Sequence, residues 1–230
     1  MEAITRRVLD RTYRRGGDLV ILDAGCGSGG AMRYLAGYGR VVGLDMSMHA
    51  LTLCQGRGIQ TIARGSISEM PVVDACADLV TSFDVVSDFG VSDDVATLRE
   101  FARVLRPGGR LLLRLPAFNW LYGKHDRAVN TRRRYTATEV RARLREAGFQ
   151  VEWWSYANTF LFPLAVLARL RARMLRAEGR DSDISVEYGA ANGALRWILS
   201  AEAPLVARVG LPVGLTVVAV GRKPPGDDRQ

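Results

Sequence analysis

Lysine is nearly missing from this chain of 230 residues: Lys124 and Lys223 are the only two, so 30 of the 32 basic residues are arginine. So uniform a bias reads as the imprint of a GC-rich genome rather than of a ligand. The net charge of +8 would suit a polyanion, yet ten arginines lie between Arg132 and Arg176, where helical faces leave most of them solvated. Nucleic acid is therefore not the expected partner. Cysteine is scarce too: Cys26, Cys54 and Cys76 are an odd number without metal-ligand spacing, which argues against a disulfide framework and a metal site. The apolar surroundings of Cys54 and Cys76 suit buried thiols in a reducing, cytoplasmic location. No long apolar run is present; the longest, Phe160 to Ala168, contains Pro163 and is too short to span a bilayer. No apolar segment follows Arg6 and Arg7, so neither a signal peptide nor an N-terminal anchor is expected. Internal repeats and low-complexity tracts are absent.

What is there is apolar residues, 48% of the chain, enough for one domain around a buried sheet. Strand-like runs alternate with helical patterns: Leu19 to Leu22, Val41 to Leu44, Ile59 to Ala63, Leu79 to Phe83 and Leu111 to Leu115. That alternation is the sequence form of βαβ units and a parallel sheet. Val95, Leu98, Ala102 and Leu105 share a helical face, and Arg106-Pro107-Gly108-Gly109 breaks that helix. Thr136 and Glu139 have capping-box spacing, Val140, Leu144 and Ala147 form a stripe, and Gly148 is placed to end the helix. Phe149 to Trp154 and Leu215 to Val220 complete seven candidate strands. Between the last two lie residues 157–212, helical in pattern and too apolar for an open loop, which predicts a helical cap. The expected fold is α/β, a doubly wound, seven-stranded, mostly parallel sheet with helices on both faces and that cap before the last strand. Residues 1–222 form the expected domain, and 223–230 a disordered tail.

Chemistry enters at Leu22-Asp23-Ala24-Gly25-Cys26-Gly27-Ser28-Gly29-Gly30, which closes the first strand and opens a helix. Glycines there let the backbone turn sharply and approach a ligand, while the helix N-terminus offers free N–H groups. Gly25, Gly27 and Gly30 also satisfy G-x-G-x-x-G, so a nicotinamide or flavin site competes. Asp23 separates the readings: a carboxylate at the strand end opposes a pyrophosphate but can hold an ammonium. Asp45, about 20 residues on at the next strand end, is placed for ribose hydroxyls under either reading.

The D-x-G-x-G-x-G string resembles the first motif of the class I S-adenosylmethionine (SAM) dependent methyltransferases, of the methyltransferase-11 and ubiquinone-menaquinone-biosynthesis type. Arg64-Gly65-Ser66-Ile67-Ser68-Glu69-Met70-Pro71, Asp78 to Val85, and Arg103-Val104-Leu105-Arg106-Pro107-Gly108-Gly109-Arg110-Leu111 resemble later motifs of that family in the same order, covering residues 19 to 115. The resemblance implies SAM as cofactor, S-adenosylhomocysteine as product and no metal. It implies a cofactor site of Asp23, Gly25, Cys26, Gly27, Gly29, Asp45, Met46, Ser66, Ile67 and Phe83. By the same resemblance, Met46 and Ile67 are expected to flank the adenine, and the backbone near Phe83 to receive the methionine ammonium. Ser66 stands where many relatives carry an acid, and its hydroxyl accepts from the adenine amino group more weakly than a carboxylate would.

Ligands meet open α/β sheets at the carboxyl ends of the strands. An acceptor pocket is therefore expected from Asp88, Arg114, Phe118, Trp120, Tyr122 and Tyr135, together with the cap. Arg114 interrupts an apolar strand, so it pairs with a structural carboxylate or reaches an anionic acceptor group with Arg132 to Arg134. His125, one of two histidines, is the candidate general base if the acceptor still carries its proton; its other reading is a loop-fixing partner of Asp126. His49 is expected at the surface. The expected enzyme methylates an oxygen, nitrogen or carbon of a small or lipid-like acceptor in biosynthesis or secondary metabolism. Its rivals are an RNA methyltransferase, a non-catalytic SAM-binding protein and a nicotinamide oxidoreductase. Apolar residues followed by arginines in the cap suit packing on the chain's own core, closure over an acceptor, or peripheral contact with an anionic membrane.

Overall fold

Leu19–Ala24 (β1) is an unbroken apolar run up to Asp23, as a strand covered on both faces requires: Leu22 joins one hydrophobic cluster and Ile21 the other. The computed structural model describes residues 1–177 and 202–226. After β1 come β2 (Gly39–Asp45), β3 (Ile62–Arg64), β4 (Ala77–Phe83), β5 (Leu105–Pro116), β6 (Gln150–Ala157) and β7 (Thr216–Arg222). They form one sheet in the order β3-β2-β1-β4-β5-β7-β6. Only β7 is antiparallel to its neighbours, β5 and β6. The order reverses between β1 and β4, so the carboxyl ends of these two strands open a crevice.

Helices cover both faces. The helices α1 (Glu2–Leu9) and α2 (Met32–Leu35) bury Ile4, Val8 and Leu35 on one side, joined by Val206 from a helical segment at 202–209. A third, α3 (Met48–Gly56), adds Leu51 and Cys54 to that side. On the other side lie α4 (Asp94–Val104) and, after a short α5 (Lys124–Ala128), α6 (Ala137–Glu146), through Leu98, Phe101, Val140 and Leu144. The buried face of α4 is rotated from the expected one. Phe101 and Val104 are fully buried, whereas Val95 and Ala102 only border the core. At α6 the expected capping box is present, with Thr136 Oγ1 accepting from Glu139 N–H and Glu139 from Thr136 N–H, and Gly148 ends the helix at φ +90°.

The third strand is shorter than its pattern, because Ile59 ends a turn and packs beneath the glycine loop instead. The Arg106-Pro107-Gly108-Gly109 break lies within β5, where Ala77 pairs with Leu105 and Leu79 with Arg110, so extra residues bulge out of the ladder. The expected cap contains α7 (Phe162–Ala177) and the segment 202–209; residues 178–201 lie outside the described residues, as do 227–230 of the expected tail. Lys223, where that tail starts, still exchanges backbone bonds with Gly108 and Gly109. The excursion from β6 to β7 is closed at its base by Asn158 Nδ2 donating to Thr216 Oγ1 at 3.2 Å. Among the described residues no helix is long and apolar enough to cross a membrane.

Candidate active site

At the end of β1 the chain turns through three glycines with positive φ, each for its own reason. A side chain on Gly25 (φ +82°) would place its Cβ 2.3 Å from Val85 Cγ2, and one on Gly29 (φ +77°) would stand 2.4 Å from Ile59 Cδ1. Gly27 (φ +53°) faces open space. The first and last glycines therefore permit packing, and the middle one leaves room for a ligand. Gly25 and Cys26 N–H groups both donate to Leu44 O, and Gly27 N–H donates to Asp45 Oδ2 at 2.8 Å. Asp45 Oδ1 accepts from Ser47 N–H at 2.8 Å. Cys26 and Cys54 lie beneath, both thiols turned to Gly27 O, and burial pushes the Cys26 thiol up to about 12. Cys26 and Gly29 thus support the loop without lining the space before it.

That space is a cavity of about 540 Å³, within the range of small-molecule sites. It brings together Gly25, Gly27, Asp45, Met46, Ser66, Ile67 and Phe83, residues up to 58 positions apart. Ser47, Ser68, Val85, Gly90, Val91 and Asn130, with no site signal of their own in the sequence, complete it together with Asp84. Asp88, expected on the acceptor side, is here instead, its Oδ1 accepting from Gly90 N–H and Asn130 Nδ2. Asp23 is buried at the head of the loop. Its Oδ1 accepts from Thr81 Oγ1 at 2.6 Å, while Oδ2 has no protein partner. Desolvation raises its carboxyl from 3.8 to about 6, against the Thr81 bond and the Arg114 charge, which pull it down.

A second cavity of about 490 Å³ lies beyond the ends of β4, β5 and β7. Pro116, Leu121, Val129, Ala165 and Leu215 supply apolar wall; Asp84, His125, Asp126, Thr131, Arg134 and Thr216 supply polar groups. Asp84 lines both cavities. It sits at φ +65°, a conformation costly for any residue with a Cβ, and is held there from two directions. Its N–H donates to Arg114 O, and its Oδ2 accepts from Arg114 Nε and Nη2 at 2.8 and 2.7 Å. Arg114, stacked 4.7 Å from the Phe83 ring centroid, is therefore committed to a carboxylate of the chain.

The other acceptor-side residues disperse. Phe118 stacks on Tyr156 at 5.1 Å and meets Phe162 and Trp120, so this aromatic cluster holds α7 in place. Tyr122 donates its hydroxyl to Thr131 O at 2.9 Å. Tyr135 is fully buried and lines neither cavity: its hydroxyl donates to Asp94 Oδ2 at 2.9 Å, and burial pushes its ionisation upward. Asp94 also collects Arg132, Arg133 and Arg143, and Arg134 donates to Asp126 Oδ1 at 2.7 Å, so all three arginines expected to assist Arg114 are paired within the chain. Asp126 Oδ2 accepts from Gly123 N–H, which leaves His125 exposed at the second cavity without Asp126 as its partner. His49 is exposed on α3. Among the described residues no cluster of metal-ligating side chains occurs.

Residues 22–113 match a family described as a methyltransferase domain. A probable SAM-dependent methyltransferase of Mycolicibacterium smegmatis is 33% identical over 157 residues, covering 66% of this chain and 59% of that protein. The ubiquinone/menaquinone biosynthesis C-methyltransferase of Syntrophotalea carbinolica is 36% identical over 102 residues, covering 40% and 42%. The chain spans 50% to 59% of the length of the first curated relatives it matches. A SAM-dependent methyltransferase of Mesorhizobium loti has the same fold, with a TM-score of 0.63 over 96% of this chain and 98% of that one, at 17% identity. With its glycine loop, the switch between β1 and β4, the reversed β7 and the match over residues 22–113, the chain has the class I, Rossmann-like methyltransferase fold and is similar over that stretch to a methyltransferase domain family, whose cofactor is S-adenosylmethionine.

Proposed function

We propose that this chain methylates an oxygen, nitrogen or carbon atom of a small or lipid-like acceptor held in the second cavity, using SAM bound in the first. The observation that carries this reading is the sharing of Asp84 by the two cavities, which makes their junction a place where two ligands can meet. The residues fit the cofactor. Asp23 Oδ2, buried without a partner, suits an ammonium or a water that bridges to one, and Gly27 leaves the loop open. Asp45, already anchored by two N–H groups, keeps lone pairs for ribose hydroxyls, with Met46 and Ile67 on either side of an adenine and Ser66 at its edge. Bound there, SAM supplies an electrophilic methyl group on a sulfonium.

The chain's own contribution is alignment, the main requirement of an in-line displacement. Arg114 fixes Asp84 at the junction, and α7, held by the aromatic cluster, closes one wall of the acceptor cavity with Ala165. His125 lines this cavity, which supports a role for it in taking a proton from an acceptor hydroxyl or amine. Calorimetry with SAM, S-adenosylhomocysteine, NAD and NADP tests the reading: the first two are expected to bind, and binding of a dinucleotide in their place would overturn it.

A further inference from the structure

The first cavity is acidic in a basic chain. Asp45, Asp84 and Asp88 line it, and among the described residues no lysine, arginine or histidine does, although the sequence carries a net charge of +8. Two of these carboxylates are engaged by neutral donors. Asp45 accepts from the Gly27 and Ser47 N–H groups, and Asp88 from Gly90 N–H and the Asn130 side chain. Such bonds fix the carboxylates and leave their negative charge in place. A concavity lined by one sign of charge gathers ligands of the other, here cations.

The third carboxylate, Asp84, is placed differently. It borders both cavities, whereas Arg114, its ionic partner, lines neither. Arg114 Nε and Nη2 both pair with Oδ2, so neither contact uses Oδ1, and the guanidinium lies over the Phe83 ring. A positive group at the junction is therefore nearer to the carboxylate than to the guanidinium behind it, and the shorter distance decides the sign of the net interaction. Asp84 holds this place at φ +65°, where glycine would fit at lower cost, and strain of that kind gathers at functional positions.

Methyl transfer takes one positive charge from the cofactor. SAM carries a sulfonium and S-adenosylhomocysteine a neutral sulfide, while adenine, ribose and amino-acid groups are the same in both. Contacts to those common groups cannot tell donor from product. An in-line displacement between two cavities passes through their junction, which Asp84 borders. We infer that Asp84 is the residue that distinguishes the charged donor from the neutral product, so that SAM is held more tightly than S-adenosylhomocysteine and spent cofactor leaves. The inference rests on the proposed use of the two cavities.

Titration calorimetry with three probes tests it: SAM, neutral S-adenosylhomocysteine, and sinefungin, which carries an ammonium in place of the methylsulfonium. The unaltered chain is expected to bind SAM and sinefungin about tenfold more tightly than S-adenosylhomocysteine, the effect of one nearby charge in a solvated site. D84N is expected to lose about tenfold for both cationic probes and to keep S-adenosylhomocysteine within about twofold. Asparagine tolerates positive φ, and D84G gives the same readout should D84N not melt cooperatively. Both variants bare the Arg114 guanidinium, so D84N/R114M is measured as well and is expected to lack the preference too. Equal affinities in the unaltered chain, an equal loss of all three probes in D84N, or a preference restored in D84N/R114M overturns the inference and leaves SAM binding standing. An unaltered chain that binds none of the three sinks the cofactor reading, and this inference with it.

Discussion

The carboxylate of Asp45 holds the backbone of Gly27, with N–H to Oδ2 at 2.8 Å. The end of β2 thus ties down the loop that leaves β1, and a residue expected to serve the ligand also shapes the backbone the ligand would meet. Asp45→Ala removes both functions. SAM affinity is expected to fall by roughly 1.5–3 kcal/mol, the range for charge-assisted hydrogen bonds, as read by titration calorimetry. Affinity equal to that of the unaltered chain would remove Asp45 from the site.

Two glycines of that loop are expected to respond differently to substitution. Gly27→Val points a branched side chain into open space at a strained φ, so SAM binding is lost while a folded chain, lowered in stability by about 1–2 kcal/mol, persists. Gly25→Ala collides with Val85 Cγ2 and shifts the backbone, lowering stability at least as much. Thermal melts paired with SAM titrations separate the two effects; tight binding by Gly27→Val would contradict the loop's placement.

Asp23 makes stability depend on pH. Its carboxyl is raised from 3.8 to about 6 in the folded chain, so between those values the folded state keeps a proton that the unfolded state has released. Stability therefore falls as pH rises through this window and stays lower above it. Asp23→Asn is expected to raise the ligand-free melting temperature at pH 8 by several degrees, the two-unit shift amounting to roughly 2–3 kcal/mol at most. The same variant loses SAM affinity. A melting temperature unchanged in Asp23→Asn would show that the buried carboxylate carries no cost.

Asp94 gathers Arg132, Arg133, Arg143 and the Tyr135 hydroxyl. Removing it strips Arg132 and Arg143 of their carboxylate, leaves Arg133 with Glu139 alone, and leaves the Tyr135 hydroxyl only a 3.4 Å bond to Val86 O. Asp94→Ala is expected to cost about 3–5 kcal/mol in urea unfolding, with SAM affinity of the folded fraction unchanged. A cost below 1 kcal/mol would mean that solvent already screens the cluster.

The parts legible in the sequence are those decided by near neighbours. Thr136 and Glu139 cap their helix across three residues, and the turn from Asp23 to Gly30 is written in consecutive glycines. Tyr135 was misplaced because its partner, Asp94, is 41 residues away and burial is a property of the whole fold. The position of Asp84 is not written locally for a similar reason: it depends on Arg114, brought alongside by the pairing of Phe83 with Arg114 between β4 and β5. Asn130 gave no signal, since an asparagine at φ +61° in a loop has no local pattern.

The 3.2 Å bond between Asn158 and Thr216 has a bearing on how the chain can be altered. Everything between these two residues leaves and rejoins the sheet at one doorway, so its length is nearly independent of the strands that flank it. Doubling such a segment adds only about 0.6 kcal/mol of closure entropy. The excursion can therefore vary in length at small cost, provided that Ala203 and Val206 keep their places in the core shared with α1 and that Leu211 keeps its bridge to Tyr156.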